Sequence, residues 1–209
     1  RIVSINPLEE TGLVRFRHPQ HPWEFLGSGT PIACLHLPVR INGDVAVVKG
    51  IMKVMLEAED RNPGLVFDHA FIKEYTSGFD EFIQALRRDD WDEIIEESGV
   101  AKDLIERAAS IAIEAKNTIC CWAMGLTQHK NAVANIQEVT NFLLLRGNMG
   151  RPGAGACPVR GHSNVQGDRT MGIFEKMPDS FLDQLGREFR FEPPREHGYD
   201  TVKAIEAMH

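Results

Sequence analysis

Apolar residues recur along this chain with two different periods, and the changes of period lay out its elements. RIVSIN, at the start, is a short β-branched run closed by Pro7 and predicts a buried strand. From residue 45 the spacing becomes helical: Val45, Val48, Met52 and Met55 fall on one side of a helix expected to reach about Asp60, with Asp44 as its N-cap. After the turn Asn62-Pro63-Gly64, three shorter sets predict small helices: Phe71, Ile72 and Tyr75; Phe79, Phe82, Ile83 and Leu86; Trp91, Ile94 and Ile95. Ala101 to Lys116 carries the clearest helical pattern. The continuous apolar run TICCWAMG that follows predicts a buried, parallel strand. Asn131 to Arg146 reads as another helix, ended by Gly147 in the C-cap position. Strand, turn and helix in that order, with helices upstream, give an α/β class: a layered sheet with flanking helices.

Two stretches lack a sustained period. Residues 7–40 are rich in Pro, Gly and His and are expected to form one long irregular loop, the kind that is functional or wraps a partner. Beyond Gly172 the text changes again, with Pro178, Pro193 and Pro194 around a helix near Ser180 to Arg187 and a last helix from Tyr199. The expected organisation is one α/β domain over 1–165, including the loop 7–40, and the start of a second α/β domain over 166–209.

Composition narrows the function classes. A chain of 209 residues, 43% hydrophobic with both charge signs present, buries a core and is not disordered. Its net charge of -7 argues against nucleic acid or an anionic membrane surface as main partner. No run approaches the roughly 18 apolar residues of a membrane span, so no membrane insertion is expected. Cys34, Cys120, Cys121 and Cys157 show no CxxC spacing; they read as reduced thiols of a cytoplasmic protein, with Cys157 as a small buried hydrophobe. His18 and His21, separated by prolines, read as an exposed loop, and no metal ligand is assigned. The opening Arg1, without methionine or signal pattern, suggests an internal segment of a longer polypeptide.

Candidate chemistry gathers late in the chain. Seven glycines stand between Gly147 and Gly172, and the same stretch holds Arg151, Arg160 and Arg169 against one acid, Asp168. Glycines permit close backbone approach and the local charge is cationic, so the occupant expected is an anion. Asn148, His162, Ser163, Asn164 and Gln166 add neutral donors and acceptors that suit a pterin or purine edge. GxxxxGK[ST] is absent, so this is not a phosphate loop of that kind. AMGLTQH, after the apolar strand, sits where open α/β sheets place ligand crevices.

MGLTQH and RGNMGRPGAGACPVRGHSNVQGDRTMG, preceded in order by INP and INGD, together resemble the large subunit of molybdopterin oxidoreductases, in particular the formate dehydrogenase-like alpha subunits. The resemblance runs from the INP strand to about Phe174. It implies a Rossmann-like dinucleotide-binding domain around bis-molybdopterin guanine dinucleotide with molybdenum or tungsten, and two-electron oxidation or reduction of a small substrate such as formate. By the same resemblance Asn6 and Pro7 lie against the guanosine end of one cofactor, with Leu8 in place of the usual arginine. Gly43 and Asp44, after Asn42, match the turn that offers a carboxylate to guanine; Met124, Gly125 and Gln128 approach the pterin. Arg160 is the residue placed beside the metal, where a guanidinium orients a small carboxylate. His162, the second catalytic candidate, stands where many formate dehydrogenases have glutamine, which leaves other substrates open. Gly161, Gln166 and Gly167 complete the loop against the cofactor.

The family's protein ligand to the metal and its iron-sulfur cysteines come from an upstream segment that these residues do not match. This segment by itself is therefore expected to hold no metal and to be inactive. Its partners would be the remaining domains of the same polypeptide, the small-molecule substrate and an electron-transfer partner. From the residues alone, a non-catalytic nucleotide-binding or protein-interaction module also stays open.

Overall fold

The computed structural model describes residues 1–209 except 24–26, 163, 174–176 and 209; Ser163 thus lies outside the described residues. The chain falls into two compact units, Arg1–Val159 and Arg160–His209.

The first unit is mixed α/β. Strand β1 (Val3–Ile5) ends, as the pattern predicts, just before Pro7. Residues 7–40, expected as one irregular loop, instead contain helix α1 (Thr11–Val14), an antiparallel pair β2 (Arg15–Phe16) and β3 (Thr30–Pro31), and strand β4 (Leu35–Leu37). Strand β4 pairs in parallel with β1, Ser4 opposite His36, and sends Leu35 and Leu37 into the core. Three residues between Pro31 and Pro38 are too few to establish a period, which is why the pattern hides this strand.

Helix α2 (Asp44–Arg61) is the centre of the core. Ala46, Val47, Ile51, Met52, Met55 and Leu56 are all buried, so the helix is covered on most sides. The predicted stripe is only part of this: Val45 and Val48 are half-buried, whereas Val47 and Met52 are fully enclosed. Around it pack α5 (Trp91–Ser98), α6 (Lys102–Glu114) and α8 (Ala132–Leu145), with α3 (His69–Tyr75) and α4 (Phe79–Arg88) completing the layer. These helices match the predicted segments to within a few residues.

Strand β5 (Ile119–Trp122) is parallel, as expected, but it is not buried on both faces. Ile119 and Cys121 are exposed and alternate with partly buried Cys120 and Trp122, because only the face bearing Cys120 and Trp122 packs against the core; its partner among the described residues is the short strand β6 (Gly155–Pro158). That neighbour interrupts the glycine-rich stretch, where Gly and Pro mask a strand. It also exposes Cys157, against the expectation of a buried thiol. Between the two strands run the short helix α7 (Met124–Thr127) and α8. Gly147 takes φ +57 directly after α8, and the amides of Gly147 and Asn148 donate to the carbonyls of Leu144 and Leu143, so this end closes as predicted.

The second unit holds α9 (Val165–Thr170), α10 (Asp179–Phe189) and α11 (Thr201–Glu206). Leu182 of α10 is its buried apolar anchor, and Arg195 reaches back to Asp183 at 2.7 Å.

One polar network fixes the far end of α2. The Glu59 carboxylate is 6% exposed and accepts hydrogen bonds from the amides of Gly64, Val66 (2.8 Å) and Phe67 (3.0 Å) and from His69 Nε2 (2.7 Å). Burial alone pushes its pKa up, but these donors together outweigh it and hold the acid down at about 2, against an ordinary 4.5. An acid depressed in the folded state binds its proton more readily when unfolded. Its stabilisation is therefore complete above about pH 4.5 and is lost as the pH falls through about 2. A shift of that size corresponds to roughly 3 kcal/mol. Glu59→Gln is expected to lower the unfolding free energy at pH 7 by 1–3 kcal/mol, on the order of a broken buried network, and to flatten the acid limb of a urea-denaturation series. An unchanged acid limb would remove this role from Glu59.

Candidate functional site

Parallel pairing sends the chain out of β1 and β4 at the same, carboxyl, end of their ladder. Asn6 emerges there after β1; its amide nitrogen donates to the Leu37 carbonyl and its side chain donates to the carbonyl of Leu8 at 2.7 Å, which fixes the turn around exposed Pro7. From β4 the chain passes through Val39 and Arg40 into the Asn42-Gly43-Asp44 turn. Asn42 adopts φ +74, a conformation asparagine tolerates better than most residues.

Gly43, not Asp44, is the residue that caps α2, and it offers no side-chain hydrogen bond. Asp44 is the first residue of the helix, a correction to the N-cap expectation. Gly43 is required for packing: a Cβ there would lie 2.7 Å from the carbonyl oxygen of Glu97 and 2.9 Å from the Ser98 Cα, at the end of α5. The Asp44 carboxylate is half-buried, and burial is the main reason its pKa is raised; its own backbone amide and nearby His129 pull the other way. Among the described residues no other side chain donates a hydrogen bond to it. A carboxylate in this state keeps acceptor capacity at the positive end of a buried helix.

The turn after β5 comes to the same place. Asn131 Nδ2 donates to Asn42 Oδ1 at 2.6 Å, and His129 lies near enough to Asp44 to work against the rise of its pKa. Helix α7 carries Met124 and Gly125, and Gln128 closes it, with its amide 3.4 Å from the Met124 sulfur. Asn135, buried in α8, donates to the Leu126 carbonyl at 3.3 Å and so holds that turn; its own Oδ1 is buried with no donor. Gly125 has open space where a Cβ would stand, so nothing in this chain requires glycine there.

The fold thus brings Gly43 and Asp44 together with the segment of Met124, Gly125 and Gln128. His129 and Asn131 join them, and sequence reading missed their part: Asn42 and Asn131 are 89 positions apart, a separation at which no local spacing signals contact. Asn6 and Pro7 stand after β1 in the same unit, and the remaining candidates belong to the second unit. Arg160 and His162 are exposed, with no hydrogen-bond partner among the described residues. Gln166 and Gly167 lie in α9, where Gly167 leaves room for the Asn164 side chain that packs on it. Among the described residues no cluster of three or more His, Cys, Asp or Glu could hold a metal ion, and no helix is long and apolar enough to cross a membrane.

No protein-family model matches the chain. Comparison with curated proteins is more informative. Over 208 residues the chain is 50% identical to a protein of Mycobacterium bovis named as an uncharacterized oxidoreductase, covering 100% of this chain and 27% of that protein. Its relatives include oxidoreductases. YdeP of Escherichia coli is 42% identical over 214 residues, 100% of this chain and 28% of YdeP. Formate dehydrogenase H of Escherichia coli is 31% identical over 177 residues, 85% of this chain and 23% of the enzyme. The chain therefore spans little more than a quarter of the length of the first two relatives. Among solved structures, acetylene hydratase from Pelobacter acetylenicus matches 58% of this chain and 16% of its own at a TM-score of 0.50 and 23% identity, a likeness of fold.

Because Gly43 abuts the backbone of α5, Gly43→Ala is expected to destabilise the first unit by roughly 1–3 kcal/mol, the usual range for overpacking. Thermal unfolding followed by circular dichroism measures it, and an unshifted midpoint would show that the α5 end yields freely.

Proposed function

We propose that this chain is the cofactor-cradling segment of a molybdopterin-dependent oxidoreductase of the formate dehydrogenase-like kind, with a Rossmann-like arrangement around bis-molybdopterin guanine dinucleotide. The observation that carries the reading is Asp44. It is a half-buried carboxylate that, among the described residues, takes a hydrogen bond from its own backbone amide and from no other side chain, at the carboxyl end of a parallel ladder, beside the turn that bears Gln128. Had Asp44 been the helix cap, that alone would have explained it; with Gly43 in the cap position, its acceptor capacity remains for a ligand. The 31% identity with formate dehydrogenase H supports the same reading.

The residues present suit the group. A carboxylate accepts from the ring N–H and exocyclic amine of a guanine together. The exposed Gln128 amide offers both a donor and an acceptor to a pterin edge, and the space beside Gly125 admits a flat ring. Asn6 and Pro7 border the guanosine end of one cofactor. When bound, the cofactor supplies the two-electron chemistry, and the protein supplies position and field. Arg160 orients a small anionic substrate and stabilises the charge that moves during transfer. His162 shapes substrate choice, while Gly161, Gln166 and Gly167 hold the loop that carries Arg160. The complete polypeptide is the catalyst, and its remaining domains supply the metal ligand and the route to an electron partner.

In the full-length protein, Asp44→Asn is expected to leave the unfolding midpoint unchanged or raised, since it removes a desolvated charge, while lowering the guanine nucleotide released per polypeptide on acid extraction. Arg160→Ala is expected to retain molybdenum or tungsten and cofactor while cutting kcat/KM by roughly 10²–10³. Extraction of wild-type protein that yields no pterin would overturn the proposal, as would an Arg160→Ala enzyme of normal rate for the role of that residue.

A further inference from the structure

Cys121 and Cys157 occupy registered positions on the parallel ladder of β5 and β6. Side chains alternate along a strand, so Cys120 turns toward the core and Cys121 away from it. Registered residues of adjacent parallel strands point to the same face, and the Cys157 thiol is near enough to help raise the pKa of Cys121. Both cysteines are exposed and neither is in a disulfide. Neighbouring strands lie about 4.8 Å apart, within the Cα separations of roughly 4.4–6.8 Å that a disulfide spans.

We propose that Cys121 and Cys157 form a reversible thiol-oxidation site, closed to a disulfide by a small-molecule disulfide such as oxidised glutathione. One protein thiolate attacks a sulfur of the small disulfide; that S–S bond breaks, one glutathione thiolate leaves, and a mixed disulfide remains. The second cysteine gives its proton to solvent, attacks the protein sulfur and expels the second glutathione. Two protein thiols thus lose two electrons, and one oxidised glutathione becomes two reduced molecules. Burial, then the neighbouring Cys157, raises the Cys121 pKa, so the exchange is expected to run faster at mildly alkaline pH. Cys120 is excluded on the opposite face, where burial pushes its thiol up to about 12. The bond would tie β5 to β6 one residue before β5 ends and close to the Met124 turn.

The test uses the full-length protein, incubated with oxidised glutathione at mildly alkaline pH, alkylated without reduction and digested with trypsin. Mass spectrometry is expected to find the peptide 117–130 joined to the peptide 147–160, two hydrogens lighter than the pair and separated by dithiothreitol. The link should persist in Cys120→Ser and vanish in Cys121→Ser, which should leave Cys157 as a glutathione adduct. Alkylated or singly glutathionylated Cys121 and Cys157 without the link, while exposed Cys34 takes up glutathione, would overturn the proposal. So would a link that survives Cys121→Ser.

Discussion

A helix covered by apolar contacts on most of its circumference can slide or rotate at little cost in burial, so its ends must be fixed by something directional. Helix α2 is such a helix, and each of its ends carries a carboxylate. At the carboxyl end, Glu59 is saturated by three backbone amides and His69, and its affinity for a proton collapses. At the amino end, Asp44 is desolvated with little to compensate, and its proton affinity rises. The same residue chemistry on the same helix is committed in one place and left free in the other. That asymmetry is what makes the amino end a candidate site and the carboxyl end a fastening.

Much of this was legible from the order of residues, and the parts that were not share a cause. Long helices announce themselves because ten or more positions repeat the period; α2, α6 and α8 lie close to where the pattern puts them. Strands β4 and β6 are three and four residues long and set among prolines and glycines, so neither alternation nor composition marks them. The run through Cys120 and Cys121 is apolar throughout, which suggested burial on both faces. A strand that packs on the core by one face instead exposes every second residue, and a run that is apolar throughout cannot tell whether one face or both will be covered. The candidate site was legible as separate pieces. Gly43 and Asp44 stood out by their turn, and Met124 to Gln128 by following a strand. The side-chain bond between Asn42 and Asn131 that brings the pieces together depends on tertiary folding alone.

Relatives named as oxidoreductases match the whole chain yet are almost four times as long. Among the described residues the ladders of the first unit are two strands each, and past their carboxyl ends stand polar side chains with unspent hydrogen-bonding capacity: the Asp44 carboxylate and the Gln128 amide. Arg160 and His162, in the second unit, present charge and an imidazole to solvent without partners among the described residues. Groups left this way on a folded surface are at the disposal of a ligand, whereas Glu59 or Arg146, whose guanidinium donates to three backbone carbonyls, are not.

Asn42 sets how far this turn can vary. With φ in the left-handed basin and its side chain bound to Asn131, it tolerates only residues content with that backbone and able to accept a proton bridge. Gly43 behind it has no room for a methyl group. The two positions just before Asp44 are therefore nearly frozen alphabets, so new ligand preferences in such a scaffold would arise by exchanging the acidic residue itself or the facing imidazole, and not by reshaping the loop that presents them.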